Sequence, residues 1–150
     1  MTHAACGRPL QGRTALVTGA TRGLGKGIAV ALAKAGAAVY FTGRTVNEFE
    51  GTPLPGSLSQ TEQAIRVAGG FGLAIRCDHT DEAQTQNAVD TVVRDRGRID
   101  ILVNNVWGGY EYYSDGTPFW EERGFWDAPA SRYDNMMAAG VRAHYMTSRF

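Results

Sequence analysis

The chain has 150 residues, 15 Lys and Arg against 15 Asp and Glu, and a formal net charge of +0. That balance excludes a generic basic nucleic-acid binder and an acidic tail protein, and the length suits one domain. Hydrophobic residues make up 43% of it, enough to fold, while the two cysteines, Cys6 and Cys77, cannot make a disulfide framework.

The longest apolar run, Ile28 to Ala33, is far shorter than the ~20 residues of a membrane span. Residues 1–12 carry no apolar core of a secretory signal. The expectation is a soluble, cytoplasmic globular protein without a membrane span. Thr14 to Thr18 is a short β-branched, apolar run and reads as a buried strand. Residues 19–25 form a glycine-rich turn. Leu24, Ile28, Ala31, Leu32 and Ala35 then recur at helical spacing, and Gly36 stands where a helix would stop. Ala38 to Thr42 gives a second strand, which completes a unit the size of a βαβ.

Residues 43–58 read as loop. Ser59 and Glu62 have capping-box spacing, which predicts a helix from there to about Ala68. Gly72 to Cys77 is a third strand. Asp81 with Gln84 opens a helix of about four turns that ends near Gly97. Ile99 to Asn104 is a fourth strand. Strands alternating with helices predict a parallel sheet covered on both faces.

Beyond Asn105 aromatics crowd the chain: Trp107, Tyr110, Tyr112, Tyr113, Phe119, Trp120, Phe125, Trp126 and Tyr133. This reads as a long loop, either a hydrophobic lid or a surface packed against another element or subunit. A cap at Ser131–Asp134 then predicts a helix with Met137, Val141, His144, Tyr145 and Ser148 on one face. That helix runs to Phe150 without a stop signal, so the chain reads as the N-terminal part of one domain, truncated after the fourth strand and following helix.

Thr18-Gly-Ala-Thr-Arg-Gly-Leu-Gly25 lies between a strand and a helix. A pyrophosphate can approach closely only where side chains are excluded, as at Gly19, Gly23 and Gly25. The helix that follows turns free N–H groups and its positive dipole end toward such a group. Thr18, Gly19, Thr21, Arg22, Gly23, Leu24 and Gly25 are therefore the candidate phosphate-binding set. The second strand ends in Phe41-Thr-Gly-Arg-Thr45, with no Asp or Glu between Gly36 and Asn47. A carboxylate there would chelate the ribose 2′-hydroxyl of NAD(H); Arg44 instead suits a 2′-phosphate and can stack on adenine. Arg22 adds a second positive charge. NADP(H) is therefore favoured over NAD(H).

These residues resemble the short-chain dehydrogenases/reductases. Thr18-Gly19-x-x-x-Gly23-x-Gly25 is similar to that family's cofactor loop. Cys77-Asp-His-Thr-Asp81 is similar to its segment after the third strand, and Leu102-Val-Asn-Asn105 to the start of its Asn-Asn-Ala-Gly motif. The stretches around Trp107, Phe119-Trp120, Pro129 to Asp134 and Gly140 to Tyr145 are similar to a subgroup, the member 1-type proteins. The resemblance implies a Rossmann-like doubly wound α/β sheet and hydride transfer between a nicotinamide and a carbonyl or secondary alcohol. It also implies an adenine contact at Asp78, with His79 beside it in the cofactor site, and a homo-oligomer in the full-length protein. From position alone, Asp78 fits either an adenine contact or a turn. Asn104 and Asn105 fit either a ribose or a tie between strands.

The family's Tyr-x-x-x-Lys pair has no counterpart here, since no Tyr is followed by Lys at that spacing. The only lysines are Lys26 and Lys34. No catalytic residue is carried over, and the 150-residue chain alone is expected not to turn over. The alternative is a stand-alone dinucleotide-binding module, a sensor or partner subunit. His3, His79 and His144 lack metal-ligand spacing, and the serines lack a nucleophile elbow, so neither a metal site nor a hydrolase is expected.

Overall fold

The computed structural model describes residues 7–50, 54–109 and 124–150. In chain order they form β1 (Thr14–Val17), α1 (Gly23–Lys34), β2 (Ala38–Gly43), α2 (Leu58–Val67), β3 (Phe71–Arg76), α3 (Glu82–Arg96) and β4 (Ile101–Val103). A short 3-10 turn at Phe125–Asp127 leads into α4 (Ala130–Met136). A π-helical stretch at Met137–Arg142 and α5 (Ala143–Arg149) follow.

The four strands form one parallel sheet in the order β3-β2-β1-β4. Alternation along each strand divides the core in two. Ala15, Val17, Val39 and Phe41 face α1 and α2, where they bury Ala29, Ala33, Leu58 and Ile65. Leu16 and Tyr40 face the other way, onto Val89 and Val92 of α3. Tyr40 keeps its hydroxyl satisfied by donating to Asp95 (3.3 Å) and accepting from Arg96 Nε (3.1 Å). The chain is thus a Rossmann-like α/β fold, as the alternation of elements predicts.

Helix α3 follows its sequence signals closely. Asp81 caps it by accepting from the backbone N–H groups of Ala83 (2.9 Å) and Gln84 (3.2 Å), and Gly97 closes it.

Two expectations need correction. The cap of α2 is Ser57, which accepts from the Gln60 N–H at 3.2 Å. Ser59 lies inside the helix and donates to the Val46 carbonyl at 2.9 Å. Both serines precede apolar periodicity, and burial selects the one that is 1% exposed. The last helix also starts earlier and turns another face inward. Its cap position is Pro129, with no side-chain capping bond. Ala139, Ala143, Met146 and Thr147 are buried, while Met137, Val141 and Tyr145 are exposed. The buried set is spaced i, i+4, i+7 and i+8, an ordinary helical face, and it is the face of smaller residues that packs inward.

Candidate functional site

In an open parallel sheet, ligands bind beyond the carboxyl ends of the strands where the strand order reverses. Here that point lies between β1 and β4, and the glycine turn leaves β1 beside it. Gly19 has φ +68°, left-handed backbone that glycine adopts without steric cost. Gly25 is required for a different reason. A Cβ there would overlap the Gly19 carbonyl and the Asn105 side-chain amide. Thr18 closes the turn against β4: its hydroxyl donates to the Val103 carbonyl (3.3 Å) and accepts from the Asn105 N–H (3.0 Å). Asn105 Nδ2 donates to the carbonyls of Thr18 (3.1 Å) and Gly19 (2.8 Å).

Beyond the turn, α1 begins with no acidic residue in its first turn. Lys26 makes the first bond of the helix, to the Arg22 carbonyl. The amides of Gly23, Leu24 and Gly25 precede that bond and sit at the positive end of the helix dipole, a natural place for an anion.

The turn opens on a cavity of about 690 Å³. Its lining brings together Gly19, Thr21, Arg22, Gly23, Leu24, Gly25, Arg44, Asp78, His79 and Asn105. Thr18 and Asn104 are not in that lining. Thr18 lies wholly buried beneath the turn, and Asn104 Nδ2 donates to the Ser148 hydroxyl of α5 at 3.0 Å. Arg44, just past β2, stands 3.9 Å from the Asp78 carboxylate across the cavity mouth, and both side chains are partly exposed. Arg22 Nη2 donates to the Gly56 carbonyl at 3.2 Å. Asp78 also accepts from the Thr80 backbone and hydroxyl, at 3.0 and 2.8 Å, in a local turn.

His79 is 3% exposed, and burial pushes its pKa down from 6.5 to about 4. Its ring nitrogens face three threonine hydroxyls, those of Thr42, Thr85 and Thr147. Cys77, next to it, is a buried free thiol whose pKa burial pushes up to about 12.

Several lining residues lie outside the candidate set: Gly43, Thr45, Glu50, Arg76, Cys77, Thr80, Val106 and Ala139. Gly43 and Thr45 flank Arg44 at the end of β2, and their position after a strand was the available signal. Tyr110, Tyr112, Tyr113, Phe119 and Trp120 lie outside the described residues, so the proposed lid is represented by Trp107, Trp126 and Tyr133. Among the described residues no three or more His, Cys, Asp or Glu gather where a metal could sit, and no helix is long and apolar enough to cross a membrane.

A parallel sheet with a glycine-rich turn at its switch point, backed by a helix N-terminus and opening on a cleft, is the arrangement in which open α/β sheets bind ligands. The chain belongs to the short-chain dehydrogenase family, whose sequence model, described as short chain dehydrogenase, matches residues 13–149. It is 37% identical over 141 residues to mouse dehydrogenase/reductase SDR family member 1, covering 93% of this chain and 41% of that protein. It superposes on a mutant form of a Serratia marcescens short-chain dehydrogenase/reductase with a TM-score of 0.72 at 33% identity, covering 94% of this chain and 50% of that one. A short chain dehydrogenase from Mycobacterium thermoresistibile gives 0.76 at 30% identity, covering 93% and 45%. The chain therefore spans half or less of the length of these relatives. Its family is one of oxidoreductases that use NAD(P).

Proposed function

We propose that this chain is the cofactor-binding portion of an NADP(H)-dependent short-chain oxidoreductase that interconverts carbonyls and secondary alcohols. The observation that carries the cofactor choice is Arg44. It lines the cavity at the end of β2, and no carboxylate stands between Gly36 and Asn47. A guanidinium there can pair with a 2′-phosphate and lie against the adenine. The turn itself is held tight by its glycines: a Cβ on Gly19 or Gly25 would press on the Asn105–Val106 segment or on the Gly19 carbonyl and Asn105 amide, which keeps the backbone compact where a diphosphate would lie.

In this reading Gly19 offers its bare Cα to the pyrophosphate, and Thr21, Arg22, Gly23, Leu24 and Gly25 hold it through main-chain amides, the helix dipole and the Arg22 charge. Asp78 and His79 border the adenosine end. Asn105 keeps the turn in shape, with Thr18 beneath it and Asn104 tying β4 to α5. The cofactor supplies a hydride acceptor or donor at its nicotinamide. Within these 150 residues no Tyr-x-x-x-Lys pair is present to move the substrate's proton. The chain on its own is accordingly inactive. A cytoplasmic location and a homo-oligomeric full-length protein belong to the same proposal.

Calorimetric titration of the 150-residue chain with NADPH and NADH tests this. NADPH binds more tightly, and Arg44→Ala weakens NADPH by about tenfold, the worth of a charge-assisted bond, while NADH, which shares only the adenine contact, changes far less. Equal affinity for the two cofactors would overturn the preference. Sustained NADPH oxidation by the pure chain with a panel of carbonyl compounds would overturn the inactivity.

A further inference from the structure

His79 lies beneath the glycine turn, where β2, α3 and α5 meet. Its Nε2 is 2.7 Å from Thr42 Oγ1; its Nδ1 is 3.2 Å from Thr147 Oγ1 and 3.4 Å from Thr85 Oγ1. A hydroxyl has one proton to give and two lone pairs to offer. Thr147 donates to the Ala143 carbonyl at 2.8 Å, and Thr85 to the Asp81 carbonyl at 2.9 Å. These are the shorter bonds, so both oxygens face the imidazole as acceptors, and Nδ1 carries the ring proton.

A neutral imidazole protonated at Nδ1 has a lone pair at Nε2. Thr42 must donate its hydroxyl proton there. With that proton committed, Thr42 Oγ1 meets the Gly19 N–H, 3.4 Å away, as an acceptor. The Thr42 carbonyl holds the next amide, that of Ala20, at 2.8 Å. Had the ring proton been on Nε2, Thr42 Oγ1 would accept from both the ring and the Gly19 N–H, and its own proton, wholly buried, would be left without an acceptor among the described residues.

We infer that His79 is a positioning residue for the dinucleotide turn: its Nδ1–H tautomer orients the Thr42 hydroxyl so that the oxygen faces, and fixes, the amide of Gly19. This rests on the reading of residues 19–25 as the cofactor site. His79 acts through Thr42, one bond removed from the turn.

Nitrogen-15 NMR of the imidazole above pH 7, without nucleotide, reads the tautomer directly. A protonated Nδ1 and an unprotonated Nε2 support the relay; the reverse overturns it. In NADPH titrations, Thr42→Val and His79→Leu each weaken binding by about fivefold, the worth of one hydrogen bond. The double variant is no worse than either single, because one relay is lost only once. His79→Gln, whose carbonyl can take the place of Nε2, and Thr42→Ser both stay within about twofold of wild type. Unchanged affinity in both Thr42→Val and His79→Leu, or fully additive losses, would overturn the relay.

Hydrogen exchange at the Gly19 amide gives a second reading that needs no cofactor. It is faster in Thr42→Val and His79→Leu than in wild type, and equal rates would overturn the inference. Should wild type bind no NADPH, the cofactor reading fails, and the tautomer and Gly19 exchange still decide the relay. Should His79→Leu not fold, the tautomer and the Thr42 pair of variants decide it.

Discussion

The side-chain amide of Asn105 stands in the space that a Cβ on Gly25 would occupy. From there it donates to the Thr18 and Gly19 carbonyls at 3.1 and 2.8 Å. The end of β4 and the start of α1 thus share one small volume, and the glycine turn is clamped between them. Gly25→Ala forces a methyl against backbone, and overpacking of this kind costs about 1–3 kcal/mol. Asn105→Ala removes both donors and leaves two carbonyls short of a partner, at about 2 kcal/mol. Urea denaturation measures both losses, and NADPH titration shows weaker binding in each variant.

The pH dependence of stability carries the signature of His79. Burial holds its pKa at about 4 against 6.5 for the ordinary group; Asp78 opposes this and His144 adds to it. The Cys77 thiol and the Asp81 carboxylate lie on the same segment. Well above pH 6.5 the imidazole is neutral whether the chain is folded or not, and its contribution is complete. As pH falls from 6.5 toward 4, the unfolded chain takes up a proton that the folded chain refuses, so stability is lost. Between pH 7 and 5 the loss from this one group is about 2 kcal/mol. Urea midpoints at the two values show it, and His79→Gln shrinks the difference.

The two serines at the start of α2 differ in consequence. Ser57→Ala removes the capping acceptor and costs about 1 kcal/mol. Ser59→Ala touches a surface bond from inside the helix and stays within about 0.5 kcal/mol. Thermal melting of the two variants separates them.

Cys77 is 1% exposed, with its pKa pushed up to about 12, so little thiolate exists at neutral pH. Mass spectrometry of the Cys77 peptide after iodoacetamide treatment finds it unmodified in the native chain and modified in denaturant.

The parts of the fold legible from sequence are those where several local signals agree. Asp81, Gln84 and Gly97 mark both ends of α3, and the change from strand to helical period brackets the glycine turn. The rest depends on contacts that only the folded chain creates. Ser57 and Ser59 are alike as caps until one is buried. Met137, Val141 and Tyr145 share one helical face, but Ala139, Ala143, Met146 and Thr147 share another, and only packing in the folded chain selects the second for burial. In the candidate site, the glycines and Arg44 could be read because their chemistry is local. Thr42 could not, since its role needs His79, which lies 37 residues away in sequence. A polar residue ending an otherwise apolar strand was the one visible sign.

The central claim is that the main-chain amides of the turn after β1 receive a diphosphate. Backbone amide chemical shifts, followed while NADPH is titrated into isotope-labelled chain, test it most directly. The account predicts the largest changes at Gly19, Gly23, Leu24 and Gly25, with Arg44 and Asp78 following. Saturating NADPH that leaves residues 19–25 unshifted, or shifts confined to another face of the sheet, would contradict it.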